Sequence, residues 1–182
     1  MIYSLTLENA LLLVGSLLLL GHLPALLAEG AVKKWLTAFP RSGNIGSVLF
    51  TIAAFWFAGL VQYTDLGEFS SLRGKFLIAT LLGWGLGLRW MREFLAVRSL
   101  GMILLLVAEP LLEAAWMRPE MSRLWLVSLV YIWIVGGLFC VGMPYLLRDA
   151  ISWLTSGALR WKAAVFGGLA YGVVLLVCRF TL

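Results

Sequence analysis

FLIATLLGWGLGLRWMREF, residues 76–94, is the apolar block on which the number of membrane crossings turns. Its uninterrupted apolar part stops at Leu88. It reaches the roughly 20 residues that a bilayer-spanning helix requires only by running on through Arg89 and Arg92 to Phe94. The blocks around it, residues 4–28, 45–64, 95–117, 124–147 and 163–180, are long and apolar enough to be read as spans directly. Residues 1–182 therefore read as one polytopic membrane domain with loops too short for a separate soluble unit.

Charge arbitrates between five crossings and six. If residues 76–94 cross, the odd-numbered gaps share one side and carry nine basic residues: Lys33, Lys34, Arg41, Arg89, Arg92, Arg98, Arg148, Arg160 and Lys162. The even-numbered gaps then carry four, Arg73, Lys75, Arg118 and Arg123. If the block fails to cross, the later gaps change sides and the bias inverts. The positive-inside rule thus favours six spans with both termini outside the cytoplasm. The expected fold is an all-α integral membrane bundle of six transmembrane helices, five if residues 76–94 do not cross, in a bacterial inner membrane. No Lys or Arg precedes the first apolar run, which reads as a transmembrane helix and not as a secretory signal.

One or two short interfacial helices are expected in the gaps. Residues 31–39 place Val32, Trp35, Leu36 and Phe39 on one stripe, with Lys33, Lys34 and Thr37 elsewhere, the pattern of a helix lying in the headgroup plane. Pro40, Arg41, Ser42 and Gly43 end it. Residues 149–154 offer a second candidate, equally readable as a connecting turn. The run Met143-Pro144-Tyr145-Leu146-Leu147-Arg148-Asp149 reads as the polar tip of the fifth span, able to dock a partner or to satisfy itself.

Hydrophobic residues make up 62% of the chain, and its net charge of +5 sits in the gaps. In a membrane protein such charge reports orientation and contact with anionic headgroups, and gives no argument for nucleic acid. Of nine Trp, those at 35, 90, 116, 125, 153 and 161 fall near expected helix ends, as an interfacial belt would place them. Cys140 and Cys178 lie in apolar blocks and read as small hydrophobes. No CxxC or Cys/His cluster points to a metal, no cofactor motif is present, and one His excludes a bis-histidine haem within this chain.

Glu109 and Glu113 interrupt the fourth span. Four apart, they share a helix face, and Pro110 between them frees a carbonyl about one turn earlier. At 1.5 Å per residue, Glu109 is about 16 Å above Arg98, near mid-membrane. A carboxylate there faces protein or water and has a partner. It serves either as a proton or cation relay, helped by like-charge crowding, or as an interhelical tie within the bundle or to another subunit. Arg118, Arg123 and Arg179 lie on the same side as Glu113 and are candidates to neutralise it. His22, two residues before Pro24, lies in the inner half of the first span and out of reach of Glu109; a lone membrane His is commonly hydrogen-bonded across helices. Glu93 reads as the ion-pair partner of Arg89 or Arg98. Glu8-Asn9 opens the first helix with favourable charge on its dipole.

Gly83 and Gly87, and Gly168 and Gly172, each have the G-x-x-x-G spacing that lets helices approach closely. Gly136, Gly137 and Gly142 serve the same end or bend the fifth span with Pro144. The alternative is that these glycines leave room for a lipid or pigment.

Three functions compete. The expected one is a non-catalytic membrane subunit or assembly partner, contacting the lipid bilayer and other membrane subunits or further copies of itself. The alternative is a small proton- or ion-coupled transporter or channel using Glu109 and Glu113, although polar residues within the spans are few. A lipid-modifying enzyme ranks last, because no cluster of His, Asp or Ser is present to carry it.

Overall fold

A computed structural model describes residues 3–91 and 93–180, and every regular element among them is helical. The α-helices are α1 (Leu7–Leu27), α2 (Glu29–Ala38), α3 (Gly43–Tyr63), α4 (Arg73–Trp90), α5 (Leu95–Ala115), α6 (Arg123–Gly142), α7 (Tyr145–Ser156) and α8 (Ala158–Phe180). Five of them, α1, α3, α5, α6 and α8, are long and apolar enough to cross a membrane. This is the architecture of an all-α, multi-pass membrane protein.

Local chemistry sets the helix starts. Thr6 caps α1 by accepting from the Asn9 N–H at 3.3 Å, and Glu8 occupies the first turn, where a carboxylate favours the positive end of the helix dipole. Ser42 caps α3 in the same way from Ile45. The expected interfacial helix at 31–39 is α2, held by Lys33–Glu29 at 2.6 Å, and it gives way to a 3₁₀ turn at Phe39–Arg41 where Pro40 intrudes. Val32, Leu36 and Phe39 of the expected stripe pack against the bundle, while Trp35 is exposed, its ring tilted against that of Phe39 with centroids 5.6 Å apart.

Two expected boundaries are corrected. The third block does not run to Phe94. Helix α4 stops at Trp90, and Phe94 adopts a left-handed conformation (φ 55°) as the residue before α5. With only 18 residues and Arg73, Lys75 and Arg89 among them, α4 is not one of the five long apolar helices. It nevertheless lies antiparallel to α3. Near its start the Arg73 guanidinium donates to the Thr64 carbonyl at 2.9 Å, and near its end Trp84 Nε1 donates to Thr51 Oγ1 at 3.1 Å and Gly87 meets the Phe50 ring. The fifth block does not run to Leu147 either. It ends at Gly142, and Pro144, which cannot donate to a continuing helix, precedes a separate amphipathic helix, α7. Residues 145–149, read from the sequence as the tip of a span, are its first turn; Leu147, Ile151 and Leu154 face inward at i, i+4, i+7 spacing.

The largest core cluster joins α1, α5, α6 and α8 through Leu11, Val14, Leu111, Leu126, Val130 and Leu175. Two smaller clusters gather at one end of the bundle. One packs Phe39 on Ala96, Val97 and Cys140; the other packs Val32, Leu36 and Leu154 around Ala25, Trp161 and Val165. Helices α2 and α7 touch there, so both amphipathic helices cover the same end. Trp161 is therefore packed inside the bundle and not presented on its surface as a belt residue would be. It is 3% exposed, donates to the Ala25 carbonyl at 3.3 Å, and has the Lys33 ammonium 5.1 Å from its ring centroid. The other five Trp of the expected belt are all exposed.

Candidate functional site

Helix α5 carries both membrane carboxylates, and its geometry places them unexpectedly. Its inward face is built from Gly101, Ala108, Leu111, Ala114 and Ala115. Glu109 falls on the opposite side and is exposed; Glu113, one turn on, is half-buried. Neither carboxylate makes a hydrogen bond or ion pair with any described residue. Counted from Leu105, the middle of α5, Glu109 is about 6 Å along the axis and Glu113 about 12 Å, at 1.5 Å per residue; with α5 centred in a hydrocarbon layer roughly 30 Å thick, Glu109 would lie inside it.

The three arginines considered as partners of Glu113 are engaged or elsewhere. Arg179 grips Glu8 in a two-nitrogen pair, Nη2 at 2.8 Å and Nε at 3.1 Å from Oε1, tying the end of α8 to the start of α1. Arg123 donates to the Ala115 carbonyl at 3.3 Å. Arg118 lines a cleft with Glu8 and Glu120. Glu93 likewise pairs with neither Arg89 nor Arg98; it shares a cleft with Arg98, whose Nε is buried without a hydrogen-bond partner. Arg92 lies outside the described residues.

His22 sits between α1 and α8, away from the carboxylates. Its Nδ1–H donates to the Leu18 carbonyl at 2.7 Å, and its ring rests directly on Gly168, filling the space a side chain there would take. Gly172 meets the Gly15 backbone, a methyl on Gly172 falling 3.2 Å from the Gly15 carbonyl oxygen. Gly87 makes room for Phe50, while Gly83 faces open space with nothing within 4 Å of where its Cβ would be. A close approach of two helix backbones involves Gly137 and a residue the spacing did not single out, Gly101: a methyl on Gly101 would sit 2.6 Å from the Gly137 carbonyl oxygen. Gly46 packs as closely on Ala96, and beside it the fully buried Ser99 donates to Leu95 O at 2.7 Å and Gly46 O at 3.3 Å. Neither Gly46 nor Gly101 forms a glycine pair four residues apart within its own helix, so no sequence motif points to them.

Next to the carboxylates, α3, α4 and α5 enclose a side-opening apolar groove of about 410 Å³. Phe50, Ala53 and Phe57 supply one wall, Thr80, Gly83 and Trp84 another, and Met102, Leu105 and Leu106 the third. Met102 and Leu105 lie seven and four residues before Glu109 and Glu113 lies four after it, so all four follow one stripe of α5. Among the described residues no group of three or more His, Cys, Asp or Glu is placed to hold a metal ion. In comparisons with known proteins, no family model, no curated sequence and no solved structure matches the chain.

Proposed function

We propose that this chain is a non-catalytic integral membrane subunit, or assembly partner, of a larger complex in a bacterial inner membrane. The observation that carries the reading is Glu109: a carboxylate on a long apolar helix, exposed at the side of the bundle, with no hydrogen-bond or ion-pair partner for its side chain among the described residues. An ionised side chain near the bilayer centre costs several kcal/mol, about 2.5–3.5 on insertion scales, and is ordinarily met by protein or water. A neighbouring chain offsets that cost; bulk lipid does not. The exposed, small-residue stretch around Gly83 is a further place where a second helix can approach.

Six crossings are part of the same proposal. Eighteen residues of α4 make roughly 27 Å, close to a hydrocarbon thickness, and α4 runs alongside α3 in the opposite direction. Counting α4 as a span leaves the more basic gaps on the α2/α7 side, which the positive-inside rule assigns to the cytoplasm, with both termini on the other side.

The same stripe favours a second reading, in which Glu109 and Glu113 relay protons or cations. The groove beside them offers little to such a path, because Thr80 and Trp84 are its only polar side chains. Purification from the native membrane in mild detergent, followed by mass spectrometry of everything retained, separates the two. Stoichiometric foreign subunits are the expected result. A lone monomer or homodimer overturns the subunit reading and directs attention to ion flux in proteoliposomes with Glu109→Gln.

A further inference from the structure

We propose that the groove between α3, α4 and α5 seats a membrane-spanning helix of a different chain, one that brings a single Lys or Arg to the depth of Glu109. The inference rests on the subunit reading above and names the docking surface and the chemistry of the partner.

The lining of the groove suits a helix. Its apolar walls suit a span, and Ala53, Ala54 and Gly83 are small residues along it. A side chain at Gly83 would meet nothing within 4 Å, so the bundle itself leaves that space empty. Small residues let helix backbones come close, which is where dispersion and interhelical hydrogen bonds act in a membrane.

A carboxylate lies just beyond the lining of the groove on α5. Met102 and Leu105 line it, and the same stripe of α5 continues to Glu109 one turn beyond. A helix lying along Met102 and Leu105 therefore runs past the carboxylate, and a cation on that helix at about 6 Å from the midplane meets it. Charge complementarity selects a foreign chain over a second copy. Among the described residues no Lys or Arg lies in the middle turns of α1, α3, α4, α5, α6 or α8; the nearest to Glu109 along the chain are Arg98 and Arg118, 11 residues before and nine after it. A second copy has no cation at mid-depth to offer, and a symmetric contact through this face sets one Glu109 against another. A cationic lipid headgroup sits at the interface, above this depth.

The test uses the full chain in proteoliposomes and a synthetic Leu/Ala span with one central Lys, its association read by energy transfer between fluorophores. Control spans carry Gln or Glu at the same place. The native chain is expected to hold the Lys span about tenfold more tightly than the Gln span, in the range typical of desolvated charge pairs. Glu109→Gln should erase that preference, and Glu109→Lys should transfer it to the Glu span. Gly83→Phe, at a site with free space around it, should weaken binding of every span by filling the groove. Equal binding of Lys and Gln spans to the native chain, or a Lys preference that survives Glu109→Gln, overturns the proposal. Native-membrane purification keeps the two readings apart. A foreign subunit retained undiminished by both Glu109→Gln and Gly83→Phe sinks the groove and leaves the subunit reading standing. Recovery of the native chain alone, with the Lys-span preference intact, sinks the subunit reading and leaves the groove's chemistry standing.

Discussion

Where Gly101 of α5 meets Gly137 of α6, either side chain larger than hydrogen has to displace backbone, and backbone in a packed helix gives little. Gly101→Ala should therefore destabilise the protein by about 1–3 kcal/mol, the usual cost of overpacking. Gly136→Ala, one residue along but facing open space, should be neutral or slightly stabilising, since Ala is the better helix former. Thermal unfolding of both variants in detergent checks the contrast. His22 and Gly168 make a second residue-scale case. Because the imidazole occupies the space above Gly168, Gly168→Ala should be costly in the native chain and nearly free in His22→Ala. A double-mutant cycle should return a coupling of about 0.5–3 kcal/mol, as for residues in direct contact; additivity would mean that the ring is not seated there. The existence of these polar and small residues was plain in the sequence, and Gly168 and Gly172 were found by spacing. What each one touches was not. Gly168 receives an imidazole where a second helix backbone was expected, Arg179 reaches Glu8 and not Glu113, and Gly83 faces open space.

At the scale of the element, hydropathy located the spans within a few residues but misjudged where two of them stop. Tyr145, Leu146 and Leu147 are apolar enough to extend the fifth block. Pro144 ends α6 all the same, and the next three residues open α7 across the end of the bundle. A sum over apolar residues does not register that one residue cannot donate a hydrogen bond. Likewise the third block was carried to Phe94 to gain length, whereas α4 gains it at the other end, starting at Arg73. Helix α7 is held mainly by Ile151, with Leu147 and Leu154 beside it. Ile151→Asp should free it: amide exchange across residues 145–156 should rise while α5 and α6 keep their protection, because local opening follows the number of buried apolar contacts. If exchange rises equally throughout, α7 is a cooperative part of the core and not a separately docked element.

At the scale of the whole molecule, the arrangement of α4 decides which loops share a side. With α4 crossing, Asp65 after α3 and Glu120 before α6 face the same compartment, while Lys34 of α2 and Ser156 of α7 face the other. Single cysteines at these four positions, in a background with Cys140 and Cys178 replaced by Ala, should react with an impermeant maleimide in those two pairs. Labelling of Asp65 and Glu120 from opposite sides would show that α4 does not cross. The sequence by itself determined the class, the approximate position of the apolar helices and the amphipathic helix α2, while α7 was only one of two readings of its stretch. These follow from transfer free energies and hydrogen-bonding capacity that belong to each residue and its neighbours along one helix. Only the tertiary structure decided that Glu109 faces outward without a partner among the described residues, that Trp161 is core and that Gly101 meets Gly137. Those outcomes depend on how each helix is rotated about its axis against helices distant in sequence. That rotation is set by interdigitation of side chains from several helices at once, which no single stretch of the chain encodes.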